Sequence, residues 1–159
     1  MSAEAVKNYL RRWNREGDII LLEVSTATVS LAALALGVEE ARIAKSISLR
    51  MDDGAAIVVA AGDVKIENRK FKDRFAQKPK MLTAEETLRF TGHAVGGVCP
   101  LALPEGVAVY LDVSLRRFKT VFPACGTANS AIELSLAELE EYSGSRGWVD
   151  VCRIPEREG

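Results

Sequence analysis

The sequence predicts a mixed α+β fold in which helices flank a β-sheet of mixed strand direction, open or closed on itself. Three observations lead there. Strand and helix signals interleave without a regular βαβ period. A continuous apolar run, Ala55 to Ala61, reads as a central strand covered on both faces. Two capping boxes, Thr83-Ala84-Glu85-Glu86 and Ser135-Leu136-Ala137-Glu138, mark helix starts between strand signals. With 159 residues, 48% of them hydrophobic and 27% charged, the chain is long enough for one domain, residues 1–159, with a real core.

Residues 2–15 carry Val6, Tyr9, Leu10 and Trp13 at helical spacing, with Lys7, Arg11, Arg12 and Arg15 largely between them, and Gly17 as the stop. Ile19 to Val24 reads as a short strand. Ser25, Thr26 and Thr28 offer hydroxyl caps to a helix through Leu36, closed by Gly37. That helix is nearly free of charge and is expected to be buried. A helical turn near Glu39 to Arg42 leads to the strand Ile43 to Arg50. Period-2 counting puts Lys45 on the face of Ile43, Ile47 and Leu49. A lysine there must snorkel out, pair with a carboxylate or meet a ligand, because burying an unpaired ammonium is costly. Asp52-Asp53-Gly54 then turns the chain into the central strand.

Lys65 to Lys80 carries seven positive charges against two negative ones, on a chain of net charge −1. Phe71 and Phe75 stand four apart, which predicts a helix with an aromatic inner stripe and a basic outer face. Such a face suits a phosphate backbone, with Lys70, Lys72 and Arg74 as the candidate phosphate contacts, or is simply solvated. The Thr83 capping box opens a helix to Gly92. Gly96-Gly97-Val98-Cys99-Pro100 follows, a loop too apolar for an ordinary solvated turn. It is either a half-buried crossover or a set of backbone amides that meets an anion or carbonyl oxygen. Val107 to Val113 reads as a strand with Asp112 on the face opposite Val109 and Leu111. Thr120 to Phe122, Ile132 to Leu134 and Trp148 to Cys152 are further strands, and a helix runs from the Ser135 capping box to Tyr142. Pro155 to Gly159 should fray.

Cys99, Cys125 and Cys152 show no C-x-x-C spacing and read as reduced thiols of a cytosolic protein. With a single histidine, His93, they form no paired-ligand motif, so neither metal nor cofactor is expected. No apolar run reaches the length of a membrane span.

Several of these features, in order and spacing, resemble the YbaK/EbsC family of aminoacyl-tRNA deacylases, which includes the editing domain of bacterial prolyl-tRNA synthetase. They are Leu36-Gly37, Ile43-Ala44-Lys45-Ser46-Ile47, Gly62-Asp63, Gly92, the G-x-x-x-P loop from Gly96 to Pro100, Leu111-Asp112, Gly126 and Ile132-Glu133-Leu134. The match runs from about Leu22 to Leu139, and its sharpest marks are the strand lysine and the G-x-x-x-P loop. The resemblance implies a barrel-like mixed sheet flanked by helices, and hydrolysis of the ester joining a wrong amino acid to tRNA. It gives Lys45 a place near the ester and terminal nucleotide, and Gly96, Gly97 and Pro100 the holding of the aminoacyl group. Thr26, Thr28, Val29, Val98, Cys99, Asp112, Ala124, Cys125 and Gly126 are the expected substrate-binding residues. No side chain is a dedicated nucleophile in that family; the substrate's own hydroxyl or thiol takes part. An activated ester needs mainly positioning and stabilisation of a tetrahedral oxyanion, which amides and a cation supply.

Cysteine-specific members carry a serine and an aspartate where Ala124 and Ala131 stand here, so alanine, cysteine, serine and threonine all remain open as the rejected amino acid. The expected partners are aminoacylated tRNA, most simply tRNA for proline, and prolyl-tRNA synthetase. The rival reading is a non-catalytic module of the same fold that binds an aminoacyl-adenylate-like molecule or a synthetase.

Overall fold

The structure, a computed structural model, describes residues 2–52 and 54–154. The tail expected to fray and Asp53 of the expected turn lie outside these residues. Strands β2 (Ile43–Met51) and β3 (Gly54–Ala61) form a long antiparallel hairpin at the centre of the molecule. On one side, β6 (Thr120–Pro123) runs parallel to β2 and carries β8 (Leu134–Ser135) at its outer edge. On the other, β5 (Ala108–Asp112) runs parallel to β3 and carries β9 (Trp148–Val149). The six strands thus lie in the order β8-β6-β2-β3-β5-β9, a mixed sheet curled into a half-barrel, as the sequence led one to expect. β3 is buried from Ala55 to Ala61 because both of its faces are covered, which is why its sequence does not alternate.

The flanking elements are shorter than the sequence suggests. Helix α1 (Ser2–Leu10) gives way to a 3-10 turn over Arg11–Trp13, and Asn14, at φ 57°, ends it before Gly17 is reached. Only Ile20–Leu21 of the first expected strand pairs, as β1, with β7 (Ser130–Ala131). Helix α2 (Val29–Leu36) has Thr28 as its hydroxyl cap, the oxygen accepting from Leu31 N. The expectation that α2 is buried is corrected. Ala32 and Ala33 pack on Ile43 and Phe122, but Leu31 and Leu34 face outwards, Leu34 being 81% exposed. A helix laid on a sheet edge hides one face, whatever its composition.

The long basic helix is also corrected. Lys65–Ile66 is a strand, β4, paired with β10 (Cys152–Arg153), and α3 spans only Asn68–Phe75. Ala76, at φ 60°, ends α3, and Pro79 could not continue it. The next residues run beside β2, where Arg50 N donates to Lys80 O and Leu82 N to Ser48 O. Within α3 the amphipathic reading holds: Phe71 is fully buried, with its ring 4.8 Å from that of Phe75 and tilted by 40°. Helices α4 (Ala84–Thr91) and α5 (Leu136–Ser143) start at the two capping boxes, each with both reciprocal hydrogen bonds.

Two expected strands are corrected. Of Ile132 to Leu134 only Leu134 lies in a strand, because between Ser130–Ala131 and Leu134–Ser135 the chain changes partner from β1 to β6, with Ile132 N donating to Pro123 O. Between β9 and β10, Val151 N donates to Asp112 Oδ1 instead of to a neighbouring strand, which breaks the ladder.

Candidate active site

A cavity of about 290 Å³ opens beside β2. Its floor is the face of β2 that carries Ala44, Ser46 and Ser48. One wall is the start of α2, from Thr26 to Ala32. The facing wall is the loop residues Val95, Gly96 and Val98. Phe122, Ala124 and Ser130 close one end, and Met81 and Thr87 the other. Among the described residues lining it, Lys45 alone has an ionisable side chain.

Lys45 is half-buried. Its ammonium donates to the carbonyl oxygens of Val64 and, at 3.5 Å, Gly62, where the chain leaves β3. Burial pulls its pKa below the ordinary lysine value, and the Cys152 and Asp63 side chains oppose that only in part. A lysine has three donors, so two are committed here and the third remains for a ligand. Gly62 itself admits no side chain: a Cβ would stand 2.2 Å from Glu40 O and 2.6 Å from Val29 Cγ1. The glycine therefore lets the β3 exit press against the start of α2, which sets the ammonium close to the cavity wall.

The two small-residue loops meet edge to edge. A Cβ on Gly97 would lie 2.7 Å from the Gly126 carbonyl, so Gly97 is needed where the loops touch. Gly96, at φ +95°, turns instead towards Ala27 at the cavity rim, with 3.2 Å from its would-be Cβ to Ala27 Cβ. The strand-like segment before α2 is tied to the second loop by Leu22 N to Asn129 O at 2.8 Å and Thr26 N to Ala128 O at 2.5 Å. Three loops thus make one rim. At its base His93 is buried; its Nε2 donates to Leu101 O at 2.9 Å and its Nδ1 accepts from Ser2 Oγ. Burial lowers its pKa, which keeps the ring neutral and suits it to fastening the loop.

Comparison with known proteins agrees with this architecture. The model of the aminoacyl-tRNA editing domain matches residues 23–142. The chain belongs to the aminoacyl-tRNA editing domain family. It is 52% identical over 154 residues to the uncharacterized protein YwhH of Bacillus subtilis (strain 168), covering 96% of this chain and 98% of that one. It is also 31% identical over 104 residues to a proline–tRNA ligase of Halalkalibacterium halodurans, covering 65% of this chain and 18% of the ligase. Among solved structures, a candidate trans-editing enzyme for prolyl tRNA synthetase superposes with a TM-score of 0.84 at 28% identity. That superposition covers 99% of this chain and 98% of the other.

On this editing domain the expected site residues divide. Lys45, Gly96, Val98, Thr26, Thr28, Val29 and Ala124 line the cavity. Gly97, Cys99, Pro100, Cys125 and Gly126 lie behind it, buried in the contact between the loops. Cys99 sits 3.6 Å from His93 Nε2, and burial pushes its thiol up to about 12; burial raises Cys125 as well. Asp112, also expected at the substrate, is buried away from the cavity. Its carboxylate accepts from Ser114 N at 2.9 Å and Val151 N at 3.0 Å, which makes it a tie between β5 and the strand break. Of the basic trio, Lys70 is held by Asp150 at 3.0 Å and Cys152 O at 3.1 Å, while Arg74 lies over the Phe75 and Tyr110 rings. Lys72 is exposed.

The sequence reading missed Ser46, Ser48, Phe122, Met81, Thr87 and Ser130. Small residues at alternate positions of a strand next to the sheet's centre were the available signal for the first two, since such a strand has no solvent face to spend them on. Among the described residues no group of three or more His, Cys, Asp or Glu side chains is placed to hold a metal ion, and no helix is long and apolar enough to cross a membrane.

Proposed function

We propose that this chain is an aminoacyl-tRNA deacylase that acts in trans, in the cytoplasm, on tRNA carrying a small wrong amino acid, with tRNA for proline as the main substrate. The observation that carries the reading is a cavity of about 290 Å³ with one ionisable lining side chain, a half-buried lysine, in a chain of the editing family. The likenesses to a proline–tRNA ligase and to a candidate trans-editing enzyme support the choice of tRNA and of prolyl-tRNA synthetase as a working partner.

The chemistry follows from what the cavity holds. Water adds to the ester carbonyl, the carbonyl electrons move to oxygen, and the tetrahedral oxyanion collapses with cleavage of the bond to the ribose oxygen. That oxygen takes a proton, so the products are the free amino acid and deacylated tRNA. Among the described lining residues no carboxylate or imidazole is available as a general base. The rate gain therefore comes from holding the ester still and from stabilising the oxyanion with the Lys45 ammonium and the Gly96 and Val98 amides, the two residues of that loop that line the cavity.

The test is release of amino acid from a panel of tRNAs charged with alanine, serine, threonine, cysteine and proline. Turnover of at least one mischarged tRNA, lost in Lys45→Met, is expected. Tight binding without turnover across the panel would instead favour the non-catalytic module.

A further inference from the structure

Two hydroxyl oxygens in this cavity are buried and have no hydrogen-bond partner, Thr26 Oγ1 and Ser46 Oγ. Both residues line the cavity, and Thr26 is only 8% exposed. Three other hydroxyls of the lining are occupied. Thr28 Oγ1 caps α2, Thr87 Oγ1 donates to Thr83 O at 2.8 Å, and Ser130 Oγ accepts from Thr127 Oγ1 at 2.7 Å. A buried hydroxyl without a partner is costly, and most polar groups so placed in native proteins are satisfied. The backbone around Thr26 is fixed by its bond to Ala128 O, and Ser46 stands mid-strand opposite Val59. Neither oxygen is free to wander off towards water.

We propose that Thr26 and Ser46 read the side-chain hydroxyl of a β-hydroxy amino acid, so that the ester cleaved carries serine or threonine in preference to alanine. This rests on the proposed deacylase reading and deepens it. The alternative ligand for the pair is the substrate's ammonium group. The electrostatics disfavour it, because among the described lining residues the one ionisable side chain is a cation and none is a carboxylate. The ammonium is better placed at the open mouth, in water, with the side chain inwards. A hydroxyl both donates and accepts, and a pair of hydroxyls answers both demands. Val29, Ile43 and Phe122 supply the apolar wall that threonine's methyl group needs. A site built to bond a hydroxyl discriminates strongly against the analogue that lacks it, because its own polar groups are then left unpaired.

The experiment compares kcat/KM on seryl-, threonyl- and alanyl-tRNA for the wild-type protein and for Thr26→Val, Ser46→Ala and the double variant. Wild type should favour seryl over alanyl ester by about tenfold or more, and the double variant should lose about tenfold of that ratio. Melting temperatures should not fall, because each change removes an unpaired buried oxygen. A wild-type ratio near one, or a ratio unmoved by the substitutions, overturns the inference while leaving the deacylase reading intact.

Binding of adenosine bearing serine or alanine through a non-hydrolysable 3′-amide is measured alongside, so that failure of the reaction is told apart from failure of the recognition. Seryl preference in wild type that vanishes in the double variant supports the proposal even if no ester is cleaved. Equal affinities in wild type overturn it.

Discussion

Gly97→Ala should destabilise the protein through one contact. The added methyl carbon would lie 2.7 Å from both the carbonyl carbon and the oxygen of Gly126, and 2.8 Å from Thr127 Cα. Carbon atoms rest about 3.5–4.0 Å apart, so the loops must separate by about 1 Å. They have little room to do so. Behind Gly126 stands α1: a Cβ on Gly126 would meet Ser2 Oγ at 2.8 Å and Val6 Cγ2 at 3.0 Å. Beside it, the segment after Gly126 is tied to Leu22 and Thr26 by backbone bonds of 2.8 and 2.5 Å. Overpacking of this kind costs about 1–3 kcal/mol. At this chain length each kcal/mol lowers the melting temperature by about 2–4 °C, so a fall of about 2–12 °C is expected. Circular-dichroism melting and urea titration of the wild-type and Gly97→Ala proteins measure it. Release of amino acid, assayed well below both transitions, should fall less than in Lys45→Met. An unchanged melting temperature with abolished release would refute the reasoning and return Gly97 to the substrate.

Lys45→Met should lower kcat about 10²–10³-fold, the usual loss for one oxyanion partner. Its melting temperature should stay close to wild type, since the lost bonds to Gly62 and Val64, about 1 kcal/mol each, are offset by relief of a desolvated charge. The same lysine gives a pH signature. Its folded pKa lies below the unfolded value, so between the two the unfolded chain holds more protons and stability rises with pH; Lys45→Met should flatten that rise in pH-dependent denaturation. Lys72→Glu should raise KM for aminoacyl-tRNA and reduce the salt slope by about one unit with kcat held, whereas Lys70→Glu should also cost stability through Asp150. Cys99 and Cys152, both pushed up to about 12 by burial, should resist iodoacetamide at neutral pH, and release should be unaffected; labelling of the native protein, read by mass spectrometry, would contradict their placement.

How much of this was legible in the sequence depended on whether a signal was local. The capping boxes at Thr83 and Ser135 are complete within four residues, and both helices start there. The apolar run of β3 records two covered faces and needs no partner to be read. Strand lengths at the periphery were not legible, because they depend on what lies alongside. β9 and β10 part because an aspartate 39 residues away takes the amide of Val151. The basic segment divided because Lys65–Ile66 found an edge in β10, a pairing across most of the chain. At the site, Lys45 and the Gly96 loop stood out by residue type. Cys99, Asp112 and Cys125 stood out in the same way and proved to be buried ties or packing. Unusual residues mark tight places in a fold, and only the folded chain tells a tight contact from a binding surface.

Strand β2 shows how one element separates the two tasks of the site. Alternate residues Ala44, Ser46 and Ser48 present small groups to the cavity, so the space beside the strand exists because nothing large fills it. Lys45, between them, sends its ammonium to the β3 exit, where two carbonyls hold it with one donor to spare. Shifting the register of β2 against β3 by one residue would exchange the faces, burying the ammonium's neighbours in the cavity and the serines in the core. Eight paired positions, from Ala44↔Ala61 to Met51↔Gly54, hold that register. The longest pairing in the molecule therefore guards the relation between charge and cavity, and the short, divided strands at the edges are free to follow the loops that shape the mouth.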